Sequence, residues 1–157
     1  MSEESEQDQN FIDGWPMNTP LDIRKGLTKE EAINHPLRWG IISASAIASD
    51  WIKSLQDVPG ASTVAIAASD LERAKAYAEA HGIDKAYDDY EALCQDPDVD
   101  IVYIASKTWN HYRDLMTAIE AGKHVLCEKP FTDTAEQARE AVSYTHLRAH
   151  ETPEHLV

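Results

Sequence analysis

A run of small residues follows the first apolar strand predicted from the sequence, and it could hold a phosphate group. The stretch GIISASAIASDW spans Gly40–Trp51, with the spacing of a strand that turns into a helix. Backbone N–H groups at the start of a helix bind phosphate, and small side chains let the phosphate come close. Ser43 or Ser45 could add a hydroxyl donor where such turns usually carry glycine, provided that the backbone angles are ordinary. The stretch alone fits either a phosphate-binding turn or an ordinary strand and helix.

A second candidate is the tetrapeptide CEKP, Cys127–Pro130, which ends the last apolar strand of the sequence. Open parallel sheets bind ligands at the carboxyl ends of their strands. The ammonium of Lys129 could polarise a carbonyl oxygen or tune a neighbouring acid there, and Glu128 could orient it. An isolated lysine in a loop is usually only solvated, so the surrounding chain has to decide between these two interpretations.

Strands and helices alternate from Leu37 to Val142 and would position both candidates. The predicted strands are LRWGIIS, STVAIAA, KAYD, VDIVYIAS and KHVLCEKP, and the predicted helices are SAIASDWIKSLQ, SDLERAKAYAEAHG, DYEALCQDP, HYRDLMTAIEAG and TAEQAREAV. Crossover helices of this length predict parallel strands. The fold class is therefore α/β, a Rossmann-like doubly wound parallel sheet.

Side-chain patterns add predictions about packing. Ile47, Trp51 and Leu55 are spaced four residues apart and predict the buried face of the first helix. Cys127 lies in an apolar run and predicts a buried core thiol.

The ends of two helices also carry sequence signals. Asp70 is the predicted N-cap of the second helix and Gly82 its C-terminal stop. Thr134 and Gln137 match a capping box at the start of the last helix.

Composition narrows the function classes. The net charge of −14 argues against a nucleic-acid surface as the main function. Two cysteines are too few for a disulfide framework. No apolar run approaches the ~20 residues that span a membrane. The acidic N-terminus resembles neither a secretory signal nor a transit peptide, which predicts a cytoplasmic location.

The two ends of the chain differ from its middle. Residues 1–36 form an acidic N-terminal extension, with apolar anchors and one short predicted helix. The segment 143–157, SYTHLRAHETPEHLV, resembles translated sequencing-adapter DNA, so we expect a non-native tail there. His146 and His150 are four apart, but no third ligand completes a metal site, and we predict no metal.

Five segments resemble the nucleotide-binding half of the Gfo/Idh/MocA oxidoreductase family: RWGIISASAIASDW, VAIAASDLERAKAYAEAHG, AYDDYEALCQDPDVDIVYIAS, NHYRDLMTAIEAGKHVLCEKP and AEQAREAV. The likeness covers Leu37 to about Val142, and EAGKHVLCEKP is its most specific part. It is strongest to the branch of dimeric dihydrodiol dehydrogenases and NADP-dependent D-xylose dehydrogenases. Serine often replaces the first glycine of the turn in that branch, as at Ser43, whereas Ser45 departs from the usual glycine.

The resemblance also bears on the form of the cofactor. The family's acidic residue at the end of the second strand, which holds the ribose of NAD, falls on Ala68. Ser69 stands where NADP-using relatives often have arginine, and Arg73 could supply the charge one helical turn later. Arg73 could equally be a solvated residue that pairs with Asp70 or Glu72. The pattern favours NADP over NAD.

The resemblance implies a catalytic Lys129 beside the nicotinamide. The cofactor-binding residues that it implies are Ser43, Ala44, Ser45, Ala46, Ile47, Ser69, Arg73, Ser106, Glu128 and Lys129. In the loop IASKTWNH, Lys107 replaces a usual proline. His111 keeps the family's place there, in a role that is either structural or catalytic.

We therefore expect the nucleotide-binding half of an enzyme that transfers a hydride between NADP and a hydroxyl of a sugar or cyclic diol. The family's second α+β domain, with its acid–base tyrosine, is missing from the sequence, so the chain should be inactive alone. Relatives often form homo-oligomers through that domain. A non-catalytic module that binds or senses NADP(H) is the alternative.

Overall fold

The computed structural model describes the backbone of residues 36–151 and the side chains of residues 36–144. The strands are β1 (Leu37–Ile42), β2 (Ala61–Ala67), β3 (Lys85–Tyr87), β4 (Ile101–Ile104) and β5 (His124–Cys127). The helices are α1 (Ala46–Gln56), α2 (Leu71–His81), α3 (Tyr90–Gln95), α4 (His111–Glu120) and α5 (Ala135–Glu151), and a 3-10 turn (Thr108–Asn110) precedes α4. The predicted short helix of the N-terminal extension lies outside the described residues.

All five strands are parallel and follow the order β3-β2-β1-β4-β5. The chain builds outward from β1 to β3, and then crosses to the other side of β1 to form β4 and β5. The order therefore reverses between β1 and β4, which is where open α/β sheets bind ligands. The predicted doubly wound Rossmann-like sheet is confirmed.

Helices cover both faces of the sheet, because successive strand residues point to opposite sides. Ile41 and Tyr103 pack with α1 and α2 on one face. Ile42 and Ile104 pack with α3, α4 and α5 on the other. Burial on both faces explains the unbroken apolar run of β4. No helix in the described part of the chain is long and apolar enough to cross a membrane.

The predicted buried face of α1 is confirmed at Leu55 and in part at Trp51, but not at Ile47. Ala48, Ile52 and Leu55 are buried, whereas Ile47 is 48% exposed. The helix begins only at Ala46, and its small Ala48 faces the sheet, so the buried stripe follows the spacing i, i+4, i+7 from that residue.

The predicted burial of Cys127 is also wrong. Its side chain is only half-buried, because β5 is the last strand at its edge of the described sheet. Cys94 on α3 is the fully buried cysteine. Burial raises the pKa of the Cys94 thiol to about 12, so it acts as a packing residue rather than a nucleophile.

The predicted helix ends are confirmed. The Asp70 side chain accepts from the backbone N–H of Arg73 at 2.8 Å. Gly82 ends α2 in the left-handed region at φ 66°. Thr134 and Gln137 cap each other, with backbone-to-side-chain distances of 3.2 and 3.3 Å.

Replacing Gly40 with alanine should destabilise the domain, because β1 packs directly against two side chains at this residue. A Cβ atom at Gly40 would lie 2.9 Å from both Leu93 Cδ2 and Val99 Cγ1. We expect the free energy of unfolding to fall by about 1–3 kcal/mol, as in other overpacked cores. Gly82→Asn is the control, since nothing lies within 4 Å of a Cβ there and asparagine tolerates positive φ. Urea unfolding measures the stability of both variants. Equal stability of Gly40→Ala and the parent would contradict the packing argument.

Candidate functional site

The loops that follow β1, β4 and β5 lie side by side at the carboxyl edge of the sheet. The backbone hydrogen bonds between neighbouring strands continue past the strand ends and align these three loops. The N–H groups of Ser43, Ala105 and Glu128 each donate to the last carbonyl of a neighbouring strand, at 2.9–3.0 Å. The turn after β1 is thereby held next to the loop after β4, and that loop next to the loop that carries Lys129.

Ser43 adopts a backbone conformation that is usual for glycine. Its φ is 87°, in the region that most non-glycine residues avoid. The condition of ordinary backbone angles, under which small residues could replace glycine in this turn, is therefore not met at Ser43. Ser43 O accepts from the N–H of Ser45 at 3.0 Å, which tightens the turn. Serine thus keeps the shape of a glycine turn at a cost in conformational strain.

Ser45 fixes the start of α1 rather than offering a free hydroxyl. Its Oγ accepts from the N–H of Ala48 at 3.3 Å and donates to the carbonyl of Ala105 at 3.2 Å. The Tyr77 hydroxyl donates to the Ser45 carbonyl at 2.9 Å. Of the two hydroxyls suggested as phosphate donors, that of Ser45 is therefore engaged elsewhere, because it caps the helix and links it to the loop after β4.

The backbone N–H groups of Ala46 and Ile47 are the donors that this turn offers to a ligand. They lie in the first turn of α1, where no preceding helical carbonyl can accept from them. Both side chains are exposed, so a ligand can approach. Ala44 is buried below the turn, where it packs with Ala68 and Ala74.

Arg73 reaches the same turn from α2. Its Nη2 donates to the Ala44 carbonyl at 2.7 Å. The alternative interpretation paired Arg73 with Asp70 or Glu72, but Glu72 pairs with Lys75 at 3.2 Å. Asp70 caps the helix. Arg73 therefore places a positive charge beside the turn.

The end of β2 opens into a cleft of about 460 Å³. Ala68 at its floor is 1% exposed, whereas Ser69 is exposed. The other lining residues come from the loop after β3 and from the starts of α3 and α4: Asp88, Asp89, Tyr90, Glu91, Asn110, Arg113, Asp114 and Thr117. The sequence analysis missed this cleft, because no local pattern indicates that α3 and α4 meet beside β2.

Ser106 and His111 support the loop after β4. The Ser106 hydroxyl donates to Oδ2 of the buried Asp114 at 2.6 Å. His111 is 1% exposed, and its ring nitrogens lie 3.0 Å from the Ser106 carbonyl and 2.7 Å from the Pro130 carbonyl. A carbonyl oxygen only accepts, so each contact is a hydrogen bond when that nitrogen carries a proton. His111 thus joins the loops after β4 and β5, which favours its structural role.

Glu128 and Lys129 lie at the end of β5. Glu128 Oε1 accepts from the Tyr103 hydroxyl at 2.6 Å, and Oε2 accepts from the Lys129 N–H at 3.2 Å. The Lys129 side chain is exposed, and the Lys129–Pro130 peptide bond is cis. Among the described residues, no carboxylate forms an ion pair with the Lys129 ammonium.

Lys107, whose role the sequence left open, lies over an aromatic ring. Its Nζ is 5.2 Å from the centroid of Trp109, which is 67% exposed. This cation–π contact is the interaction that the structure gives Lys107.

Two groups of predicted residues therefore meet at the carboxyl edge. Ser43, Ala44, Ser45, Ala46, Ile47 and Arg73 form the turn and its charged neighbour, and Ser106, Glu128 and Lys129 lie on the two adjacent loops. Ser69 lies at the cleft beside β2, next to the buried Ala68 that packs with Ala44.

Known proteins match this part of the chain. The Gfo/Idh/MocA profile, described as an oxidoreductase family with an NAD-binding Rossmann fold, matches residues 37–149. The chain is 45% identical over 115 residues to trans-1,2-dihydrobenzene-1,2-diol dehydrogenase of Homo sapiens, covering 72% of this chain and 34% of that protein. It is 45% identical over 105 residues to 1,5-anhydro-D-fructose reductase of Ensifer adhaerens. That match covers 67% of this chain and 32% of the reductase.

Solved structures show the same likeness. An NAD-binding oxidoreductase from Klebsiella pneumoniae superposes with a TM-score of 0.70 at 32% identity, covering 73% of this chain and 33% of that one. A 3-ketoreductase from Actinomadura kijaniata in complex with NADP superposes with a TM-score of 0.68 at 34% identity. That superposition covers 72% of this chain and 36% of the ketoreductase chain. The chain thus spans about a third of the length of the relatives that it matches.

Replacing Ser43 with glycine should stabilise the domain. Relief of the positive φ contributes about 1–2 kcal/mol, and the greater freedom of glycine in the unfolded chain offsets part of it. We expect the free energy of unfolding to rise by about 0.5–1 kcal/mol in denaturant titrations. Ser45→Ala is the control: it removes the N-cap and should lower stability by about 1 kcal/mol. A Ser43→Gly domain no more stable than the parent would show that Ser43 is unstrained.

Proposed function

The chain belongs to the Gfo/Idh/MocA oxidoreductase family and carries its NAD-binding Rossmann domain; on that premise we propose that the whole protein transfers a hydride between NADP and a hydroxyl-bearing carbon of a sugar or cyclic diol. The observation that carries this proposal is the exposed Lys129 ammonium, held one loop away from a turn with free helix N–H groups. Relatives named as a diol dehydrogenase and an anhydrofructose reductase support the substrate class.

The turn after β1 fits a dinucleotide. Ser43 keeps the glycine-like shape that brings the backbone close to a pyrophosphate. The N–H groups of Ala46 and Ile47 would donate to phosphate oxygens, aided by the positive end of the α1 dipole. Ala44 and Ser45 would shape the turn below them. When bound, NADP supplies the nicotinamide carbon that accepts or donates the hydride.

Three residues at the end of β2 and on α2 support NADP rather than NAD in this proposal. The buried Ala68 puts no carboxylate where an acid would hold the ribose hydroxyls and repel a 2′-phosphate. Arg73 donates to the Ala44 carbonyl through Nη2, which leaves donors of the same guanidinium for a phosphate. Ser69 is exposed beside the cleft and would add a hydroxyl. A solved 3-ketoreductase relative contains NADP.

Lys129 would act on the substrate oxygen. Its ammonium would donate a hydrogen bond to that oxygen and stabilise the negative charge that develops when a carbonyl is reduced. No carboxylate among the described residues neutralises this ammonium. Glu128 would hold the Lys129 backbone, and Ser106 would line the nicotinamide side of the edge.

The substrate pocket of the proposed enzyme needs more than this domain. We propose that a second domain supplies an acid–base group and a wall that excludes water, as hydride transfer requires. A homo-oligomer and a cytoplasmic location stay predictions of the same proposal.

The cofactor preference can be tested by calorimetry with NADP and NAD. We expect the parent chain to bind NADP more tightly by about 1–2 kcal/mol, from charge-assisted bonds to the 2′-phosphate. Ala68→Asp should reverse the order. Because Ala68 is buried, the exposed Ser69→Arg is the companion variant, and it should widen the preference for NADP. Equal affinities for the two cofactors in all three proteins would contradict the assignment.

Turnover should depend on Lys129 once the family's second domain is present. We expect the 157-residue chain to bind NADP weakly without reducing or oxidising D-xylose or a cyclic trans-diol. In a longer chain with that domain, Lys129→Met should lower the rate about 10²-fold or more and change NADP affinity little. Lys75→Met, another exposed lysine, is the matched control. Near-normal turnover of Lys129→Met would place the chemistry elsewhere, and NADP binding without any turnover would favour a sensing module.

A further inference from the structure

Tyr103 is a buried phenol that points at the catalytic edge and that the proposed mechanism does not use. It lies on β4 and is 2% exposed. Its ring packs at 4.9 Å from the ring of Trp51, whose own ring lies 5.2 Å from that of Trp39. The aromatic ring is thus held by the core, while its hydroxyl reaches Glu128 Oε1 at 2.6 Å.

The Glu128 carboxylate connects this phenol to the backbone of Lys129. Its second oxygen accepts from the Lys129 N–H at 3.2 Å. The Glu128 backbone is fixed by its own bond to the Ile104 carbonyl at 3.0 Å. One carboxylate therefore bridges a rigid core side chain and the first backbone group of the lysine proposed to contact the substrate.

Tyrosine is well suited to this position. Burial, reinforced by the adjacent Glu128 carboxylate, raises the pKa of the Tyr103 phenol. The phenol therefore stays protonated and acts as a donor. A charge-assisted bond of this length is among the stronger hydrogen bonds in proteins.

We propose that Tyr103 is a positioning residue of this site, which holds Lys129 in place through the side chain of Glu128. Its effect on catalysis rests on the proposed function. The positional claim concerns only this chain and can be tested without a cofactor.

The test measures hydrogen exchange of the Lys129 backbone amide by NMR in the full chain. Tyr103→Phe keeps the ring in the core and removes only the hydroxyl, so we expect exchange at Lys129 to become about fivefold faster or more, as for the loss of one hydrogen bond. Tyr87→Phe is the matched control. It removes another phenol-to-carboxylate bond, the 2.9 Å contact with Asp96, and should leave the Lys129 amide unchanged.

A second variant tests the same bridge from its carboxylate. Glu128→Ala should accelerate exchange at Lys129 to the same extent, and adding Tyr103→Phe to it should add nothing, because both act through one bridge. Unchanged exchange in Glu128→Ala, or additive effects in the double variant, would overturn the proposal.

NADPH fluorescence titrations of the same proteins separate this inference from the proposed function. Failure of the parent chain to bind NADPH would count against the proposed function alone, while the exchange result would still decide the role of Tyr103.

Discussion

The hydrogen-bond ladder of the parallel sheet extends one step beyond its strands, and the candidate site depends on that extension. Ser43, Ala105 and Glu128 each donate a backbone bond to the end of a neighbouring strand. The three loops therefore inherit the spacing of the sheet, roughly 5 Å between neighbours. The Ser45 hydroxyl and the His111 ring add side-chain contacts between the same loops. This explains how a turn without glycine keeps its place at the switch point.

Polar side chains at this edge mainly bond to the loops themselves. The backbone N–H groups at the start of α1 and the cations of Arg73 and Lys129 are the groups that a ligand could contact. The hydroxyls of Ser45 and Ser106 and the ring of His111 are all bonded within the protein. Arg73 and Lys129 are the two cations of the proposed site, and the carboxylates of Asp88, Asp89 and Glu91 line the cleft nearby. In a chain of net charge −14, any attraction for an anionic ligand would therefore be local to these two cations.

Local interactions are the part of this structure that the sequence could predict. The Asp70 cap and the Gly82 stop each involve partners within four residues along the chain. The alternation of strands and helices predicted where the turn and Lys129 lie along the chain. The use of the Ser45 hydroxyl was not predictable, because its acceptor Ala105 lies 60 residues away. The φ of Ser43 also escaped prediction, since serine rarely adopts that conformation and the surrounding ladder imposes it.

The aromatic row beneath the site gives the protein an optical property. Trp51 stacks on Tyr103, and the Tyr103 hydroxyl touches the Glu128 carboxylate. Indole emission responds to nearby charge and to solvent rearrangement. We therefore expect a change in the charge or hydration of the edge to affect the partly buried Trp51 ring. We expect the emission of Trp51 to report such changes at the carboxyl edge of the sheet, together with that of the exposed Trp109.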